Sequence, residues 1–216
     1  MDFISETIKG RTLYRILFQR EVFRSGTFIV GKVLDIGAGG KPSYEKYLPK
    51  NIEYIKTDYV QKNGVDQVLD FNQSFPFADA SIDTVFLFHN LYIAENPAHV
   101  LTEVSRVLKQ GGHLLISNPF GVNVMAEPHD YGRFTREGLE KIMRGANFDI
   151  VYGKQIGDRF SVIAYALHAF FLIWPIRLVC NSIALFCDTL IPRGMKKNHP
   201  FPLGYFYVVE STHTLT

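Results

Sequence analysis

A pair of glycines one residue apart, three acids that close or sit in apolar runs, and two histidines are the side chains of this 216-residue chain whose spacing can do chemistry. Lys32-Val33-Leu34-Asp35-Ile36 passes straight into Gly37-Ala38-Gly39-Gly40-Lys41-Pro42. Glycine lets the backbone turn sharply and lets a ligand approach main-chain N–H groups, and Pro42 suits the first position of a following helix. Asp58 closes a second run, Glu53-Tyr54-Ile55-Lys56-Thr57, about twenty residues beyond the glycines, where an acid in an open parallel sheet accepts hydrogen bonds from a ribose diol. Strand, glycine turn and distal acid predict the floor of a nucleotide-like cofactor site.

The spacing narrows the cofactor. The dinucleotide fingerprint needs a third glycine where Pro42 stands, and the P-loop needs Ser or Thr at that same place after its lysine. Both readings are weakened. The block Asp35-Ile36-Gly37-Ala38-Gly39 instead resembles motif I of the class I S-adenosylmethionine-dependent methyltransferases, although that family often has a third glycine where Lys41 stands. Further blocks follow in the family's order. The segment Phe75-Pro76-Phe77-Ala78-Asp79-Ala80-Ser81-Ile82-Asp83-Thr84-Val85 looks like its "(L/F)PF-x-D-x-S-(F/I)-D-x-V" signature, and Glu103 to Gly112 resembles its fourth helix and exit turn.

The resemblance assigns roles residue by residue. It implies that Asp35, Gly37, Ala38 and Gly39 cradle S-adenosylmethionine, that Asp58 binds the ribose, and that Asp70 with Phe71 meets the adenine. Tyr59 is placed to lie against the adenine face or in the core. His89, just after the fourth apolar run, faces the methionine part, the substrate, or only a loop carbonyl. The loop Glu127-Pro128-His129-Asp130-Tyr131-Gly132-Arg133-Phe134-Thr135 is similar to one in methyltransferases of surface-glycan and lipid pathways. His129 is its general-base candidate, because an imidazole titrates near neutrality, and a helix-docking role is the alternative. Asn118-Pro119-Phe120 is not read as a base-methylation motif, since it follows the fifth strand rather than the fourth. No metal site is expected.

These side chains need an α/β scaffold. Apolar runs at Val33 to Ile36, Tyr54 to Thr57, Val68-Leu69, Thr84 to Phe88, His113 to Ser117, Phe148 to Tyr152 and Tyr205 to Val209 read as seven strands. A short helix is expected around Ser43 to Tyr47, a second from Pro97 closed by Gly111-Gly112, and a third over Arg136 to Ala146 with Thr135 as N-cap. The family implies a Rossmann-like, seven-stranded, mostly parallel sheet with helices on both faces and an antiparallel last strand. Residues 1–31 are read as N-terminal amphipathic helices whose basic face, including Arg11 and Arg15, is solvated on a helix packed on the domain, lies on an anionic membrane or caps a substrate pocket, and residues 32–216 as the methyltransferase domain. A hydrophobic helical insertion at about 157–200 separates strands six and seven.

Composition bounds the rest. The length suits one α/β domain, and 47% hydrophobic residues with 14% aromatics is rich for one. From Phe160 to Cys187 the only charged residue is Arg177. Pro175 and Arg177 divide that run into pieces short for a membrane crossing, so a broken helix pair is expected, followed by the basic cluster Arg193, Lys196 and Lys197. Monotopic membrane attachment through 160–197, a lid over a lipid-like acceptor, and a dimer interface or extra core remain open. A net charge of +2 gives no reason to expect nucleic acid. Cys180 and Cys187 lie about two helical turns apart, too far for easy bridging. No apolar leader opens the chain, which makes cytoplasmic the default location, peripheral on the inner membrane face if the insertion attaches.

The expected activity is methyl transfer from S-adenosylmethionine to a small or lipid-like acceptor near a membrane surface, with O-methylation of a glycan-lipid as one form. The alternatives are a non-catalytic cofactor-binding regulatory subunit and a membrane-associated scaffold. Acceptor and oligomeric state are not legible.

Overall fold

The computed structural model describes residues 3–125 and 129–212, so Glu127 and Pro128 of the quoted loop lie outside the described residues. In chain order the elements are α1 (Phe3–Ile8), α2 (Leu13–Arg24), β1 (Lys32–Ile36), β2 (Glu53–Asp58), β3 (Gln67–Val68), β4 (Ile82–Phe88), α3 (Pro97–Val107), β5 (Leu108–Pro119), α4 (Arg136–Gly145), β6 (Phe148–Ile156), α5 (Arg159–Ala166), α6 (Trp174–Leu190), α7 (Arg193–Asn198) and β7 (Gly204–Ser211). One sheet takes the order β3-β2-β1-β4-β5-β7-β6. Strand β7 runs antiparallel to both of its neighbours, while the pairs among β1 to β5 are parallel.

Side chains alternate across a strand, so each central strand feeds two cores. On one face, Leu34, Ile36, Val85, Leu87, Leu114 and Ile116 pack with Val100, Leu101 and Val104 of α3 and with Leu139 and Met143 of α4. On the other, Val33, Phe86, Phe88, Leu115 and Phe206 pack with Leu13, Leu17, Phe18 and Val22 of α2 and with Ala164 and Ala184 of the insertion. Capping fixes the helix starts: Asn96 accepts from the His99 N–H at 3.1 Å, and Thr135 from the Gly138 N–H at 3.2 Å.

Three local expectations are corrected. Helix α2 packs on the domain but is less amphipathic than expected, because Gln19 and Glu21 are buried along with its apolar residues. Polar partners make that burial tolerable: Gln19 donates to Ser43 Oγ at 2.7 Å, and Glu21 accepts from the Tyr152 hydroxyl at 2.8 Å. The helix expected after the glycine turn is only a 3-10 turn over Glu45–Tyr47. Helix α2 already covers the sheet there, with the Phe18 and Tyr44 rings 5.7 Å apart. Finally, α3 ends at Val107, and Gly111-Gly112 form a bulge inside β5, where pairing jumps from Ile82–Leu108 to Thr84–His113.

The insertion is the expected broken helix pair. Pro175 stands in the first turn of α6, where its missing N–H costs no hydrogen bond, and the break falls at residues 167–173 instead. Arg177 lies within α6 and donates to the Phe171 carbonyl at 2.9 Å. Asp188 of α6 is the anchor: Oδ2 accepts from the Ser161 hydroxyl at 2.5 Å and the Asp158 N–H at 3.0 Å, and Oδ1 accepts from the Phe160 N–H at 2.9 Å. A carboxylate at the N-terminus of α5 satisfies donors that the helix itself leaves open. Outward, Ile176, Val179, Ile183, Phe186 and Leu190 recur at spacings of three and four along α6, each between 49% and 66% exposed. Among the described residues no helix is long and apolar enough to cross a membrane. Cys180 and Cys187 are unpaired on this helix.

Candidate active site

Parallel strands β1, β2 and β4 end on one edge of the sheet, and the chemistry-bearing residues gather there. The glycine turn is built by conformation and by crowding. Gly37 and Gly39 both adopt φ +67°, a region that side chains disfavour. A β-carbon on Gly37 would lie 2.5 Å from Asn90 Nδ2, and one on Gly40 would lie 1.9 Å from the Asn63 carbonyl oxygen. Asn90, at the end of β4, donates from that nitrogen to the Ile36 carbonyl at 2.5 Å, and the Ala38 N–H donates to the Thr57 carbonyl at 2.9 Å. Neighbouring strands thus hold the turn from both sides.

Asp35 supports this turn from beneath. It is 0% exposed, and its Oδ2 accepts hydrogen bonds from the Tyr44 hydroxyl at 2.8 Å and from the Tyr54 hydroxyl. Burial pushes its pKa up to about 7, against the pull of the two phenols. As a direct cofactor ligand Asp35 is misplaced in this arrangement, because its accepting oxygen is turned to two tyrosines of its own scaffold.

Most of the remaining predicted residues line two separate cavities. One, of 270 Å³, is lined by Tyr59, Asp70, Phe71, His129 and Tyr131 among others. Tyr59 is exposed rather than core, and Phe71 is buried. Asp70 Oδ1 accepts from the Asn72 N–H at 3.0 Å, a local turn that holds the carboxylate in place. His129 stacks on Tyr131, ring centroids 5.2 Å apart, in the loop that Asp130 fixes by pairing with Arg133 and accepting from the Met125 N–H at 2.8 Å. Asp58 lies beside the glycine turn: its Oδ2 is 3.7 Å from where a Gly39 β-carbon would be, and 2.8 Å from Lys62 Nζ.

In the other, Gly37, Ala38, Lys41, Arg15 and His89 line a cavity of 290 Å³. A neighbouring cavity of 360 Å³ shares Arg11, Arg15 and His89 with it and adds Tyr14, Val122, Met125 and Tyr165. His89 takes φ +59°, its ring centroid 4.5 Å from that of Phe18 and 5.2 Å from that of Tyr14. Its Nε2 lies 3.3 Å from Ser117 Oγ, whose hydroxyl donates to the Tyr205 carbonyl at 3.2 Å, so the imidazole is the donor of that pair. Burial, and secondarily Arg15, push its pKa down to about 3, so the ring stays neutral near pH 7.

Sequence reasoning missed Tyr44, Tyr54 and Asn90, and it named Arg11 and Arg15 only as part of a basic helix face. Asn90 follows the predicted His89 directly and was the one within reach of a pattern; the others join the site only through packing.

A parallel sheet with an antiparallel β7 between β5 and β6, and a glycine turn after β1, define the fold of the class I methyltransferases. Residues 34–116 match the family model described as "Methyltransferase domain". That stretch of the chain is therefore similar to a methyltransferase domain. Among curated relatives, demethylmenaquinone methyltransferase of Renibacterium salmoninarum is 28% identical over 95 residues, 40% of this chain and 40% of that protein. Dimethylglycine N-methyltransferase of Parasynechococcus marenigrum is 30% identical over 133 residues, 54% of this chain and 46% of that protein. The matches span less than half the length of these relatives. Among solved structures, a SAM-dependent methyltransferase from Archaeoglobus fulgidus superposes with TM-score 0.62 at 15% identity, covering 97% of this chain and 100% of that one. A phosphoethanolamine N-methyltransferase of Haemonchus contortus, solved with phosphomonomethylethanolamine and S-adenosylhomocysteine, gives TM-score 0.60 at 15% identity, covering 93% of this chain and 56% of that one.

S-adenosylmethionine is the cofactor of this family, and the residues here fit it. Main-chain N–H groups without a Cβ in front of them lie at Gly37 and Gly39, and separate acids stand at Asp58 and Asp70.

Proposed function

We propose that this protein transfers a methyl group from S-adenosylmethionine to a small, lipid-like acceptor at a membrane surface. The observation that supports the reading is the crowded, positive-φ glycine turn after β1, with Asp58 Oδ2 3.7 Å from where a Gly39 β-carbon would be. When bound, S-adenosylmethionine would supply an electrophilic methyl group for an acceptor lone pair. The chain's own part is to bind and align. Asp58 accepts from a ribose diol, Asp70 and Phe71 with Tyr59 receive the adenine, and Lys41, beside the glycine turn, meets a carboxylate. His129 belongs with the adenine set by position, so we assign it to closing that cavity rather than to removing a proton. His89, neutral and in the other cavity, is the imidazole available beside the acceptor.

The membrane part of the proposal rests on α6. Its exposed stripe of aliphatic and aromatic side chains lacks acids, and exposed Arg193 and Lys197 follow in α7. Apolar area toward acyl chains and cations toward anionic headgroups is the pattern of an interfacial helix. Two measurements test the reading. Calorimetry with S-adenosylhomocysteine should show saturable binding that Gly37→Val removes; no heat with the unaltered chain would sink the methyl-transfer reading. Flotation on vesicles containing anionic lipid should carry the protein upward, and an Ile183→Glu/Phe186→Glu variant should stay behind; equal partitioning would remove the membrane.

A further inference from the structure

Positive charge without a counter-charge faces the two lobes that meet at His89. Arg11, just before α2, and Arg15, in its first turn, line both lobes, and among the described residues no carboxylate lines either. Among the described residues the Arg15 guanidinium has no hydrogen bond or ion pair. Arg11 reaches Glu6 only at 4.0 Å, and its Nε is buried without a hydrogen-bond partner. Glu6 does not neutralise the pair, because Lys46 at 2.6 Å and Lys9 at 2.9 Å already engage it. Two like charges kept close in a partly desolvated cavity repel, and Arg15 registers this as a lowered pKa caused by burial and then by Arg11. Guanidinium forks match phosphate and carboxylate oxygens in geometry as well as in charge.

The second lobe adds the other half of a recognition surface. Tyr165 of α5 and Val122 and Met125 of the loop after β5 bring apolar atoms to the same space from segments distant in sequence. Two cations and several apolar side chains lining one space select an amphipathic anion.

We infer that this cavity binds a methyl acceptor carrying a phosphate or carboxylate group, paired with Arg15 and Arg11, its apolar part against Tyr165 and Met125. The inference rests on the methyl-transfer reading for the word acceptor, and on the cavity alone for the anion.

Phenyl phosphate, benzoate and neutral benzyl alcohol, titrated into the full chain saturated with S-adenosylhomocysteine, test it by protein NMR. One or both anions should bind about tenfold or more tighter than the alcohol, the size expected of a charge-assisted pair, and the tighter anion identifies the group. Arg15→Gln should erase most of that preference, and Arg15→Lys should retain part of it. Affinity for S-adenosylhomocysteine should change by less than about twofold in Arg15→Gln, which also shows that the variant is folded. Equal binding of alcohol and anions, or an anion preference untouched by Arg15→Gln, would overturn the inference. So would a loss of about tenfold or more in cofactor affinity, which would give Arg15 to the cofactor's own carboxylate. If the unaltered chain does not bind S-adenosylhomocysteine, the same titration without it separates the two readings: an Arg15-dependent anion preference keeps the site and rejects only methyl transfer.

Discussion

Lys62 Nζ lies 2.8 Å from Asp58 Oδ2, so the acid nearest the glycine turn is held by a cation of its own loop. The lysine is half exposed, and an exposed pair of this kind contributes about 0–1 kcal/mol. A ribose diol donating to the carboxylate contributes more, about 1.5–3 kcal/mol for a bond to a charged group. Asp58→Ala should therefore weaken S-adenosylhomocysteine binding by about tenfold or more, while Lys62→Gln should change it by less than about threefold. Isothermal calorimetry of both variants decides; a larger loss from the lysine than from the aspartate would reverse their roles.

The glycine turn makes a sharper demand at Gly40 than at its positive-φ neighbours. A methyl group there would meet the Asn63 carbonyl oxygen at 1.9 Å, and backbone cannot rotate aside as a side chain can. Gly40→Ala should cost about 1–3 kcal/mol in stability, the size of an overpacking penalty, and should weaken cofactor binding as the turn shifts. Urea unfolding and calorimetry on one preparation check both effects.

Asp35 predicts a pH dependence of defined sign. Its pKa rises from an ordinary 3.8 to about 7 on folding, so the folded state holds a proton that the unfolded chain releases above pH 4. The stability this group contributes is full below its unfolded pKa and is lost as pH rises toward 7. Every tenfold difference in proton affinity between the folded and unfolded chain is worth about 1.4 kcal/mol, so the unaltered chain should lose about 2–4 kcal/mol more than Asp35→Asn between pH 4.5 and pH 8. Denaturant unfolding at these two pH values gives the difference directly; a difference of opposite sign would mean that the tyrosine hydrogen bonds outweigh burial.

Asp188 ties the insertion together through four donors, from Asp158, Phe160 and two from Ser161. Asp188→Ala leaves those donors open in a buried place and should destabilise the α5–α6 pair by about 2–4 kcal/mol, the cost of unsatisfied groups near a lost charge. Hydrogen exchange should show faster amides across α5 and α6 with little change in β1 and β4. Uniform acceleration across the sheet would mean that the insertion does not unfold as a unit.

The sheet was legible because fully covered strands must be apolar: Thr84 to Phe88 and Tyr205 to Val209 declare themselves by composition alone. Helix α2 misled because Gln19 and Glu21 look like a solvated face, whereas Ser43 and Tyr152 come from far along the chain to satisfy them. The glycine turn and the acids after it follow a local motif, so Asp58, Asp70 and Phe71 could be named as candidates in order. Arg11 and Arg15 could be read only as members of a basic face, since which charges stand near them among the described residues is set by packing. The fate of Asp35 is of the same kind: its position at the end of β1 was readable, and the two phenols that claim it were not.

Strand β7 enters the sheet between β5 and β6, and β6 meets the sheet only through it. Residues 157–203 must therefore leave the ribosome before β6 can dock. At about 5–20 residues per second, the nascent chain spends some seconds with an open β5 edge and the apolar α6 stripe both presented to its surroundings. If the proposed membrane contact holds, synthesis beside a bilayer gives that stripe a surface to settle on before the sheet closes, and the order of translation itself favours lipid over another open strand.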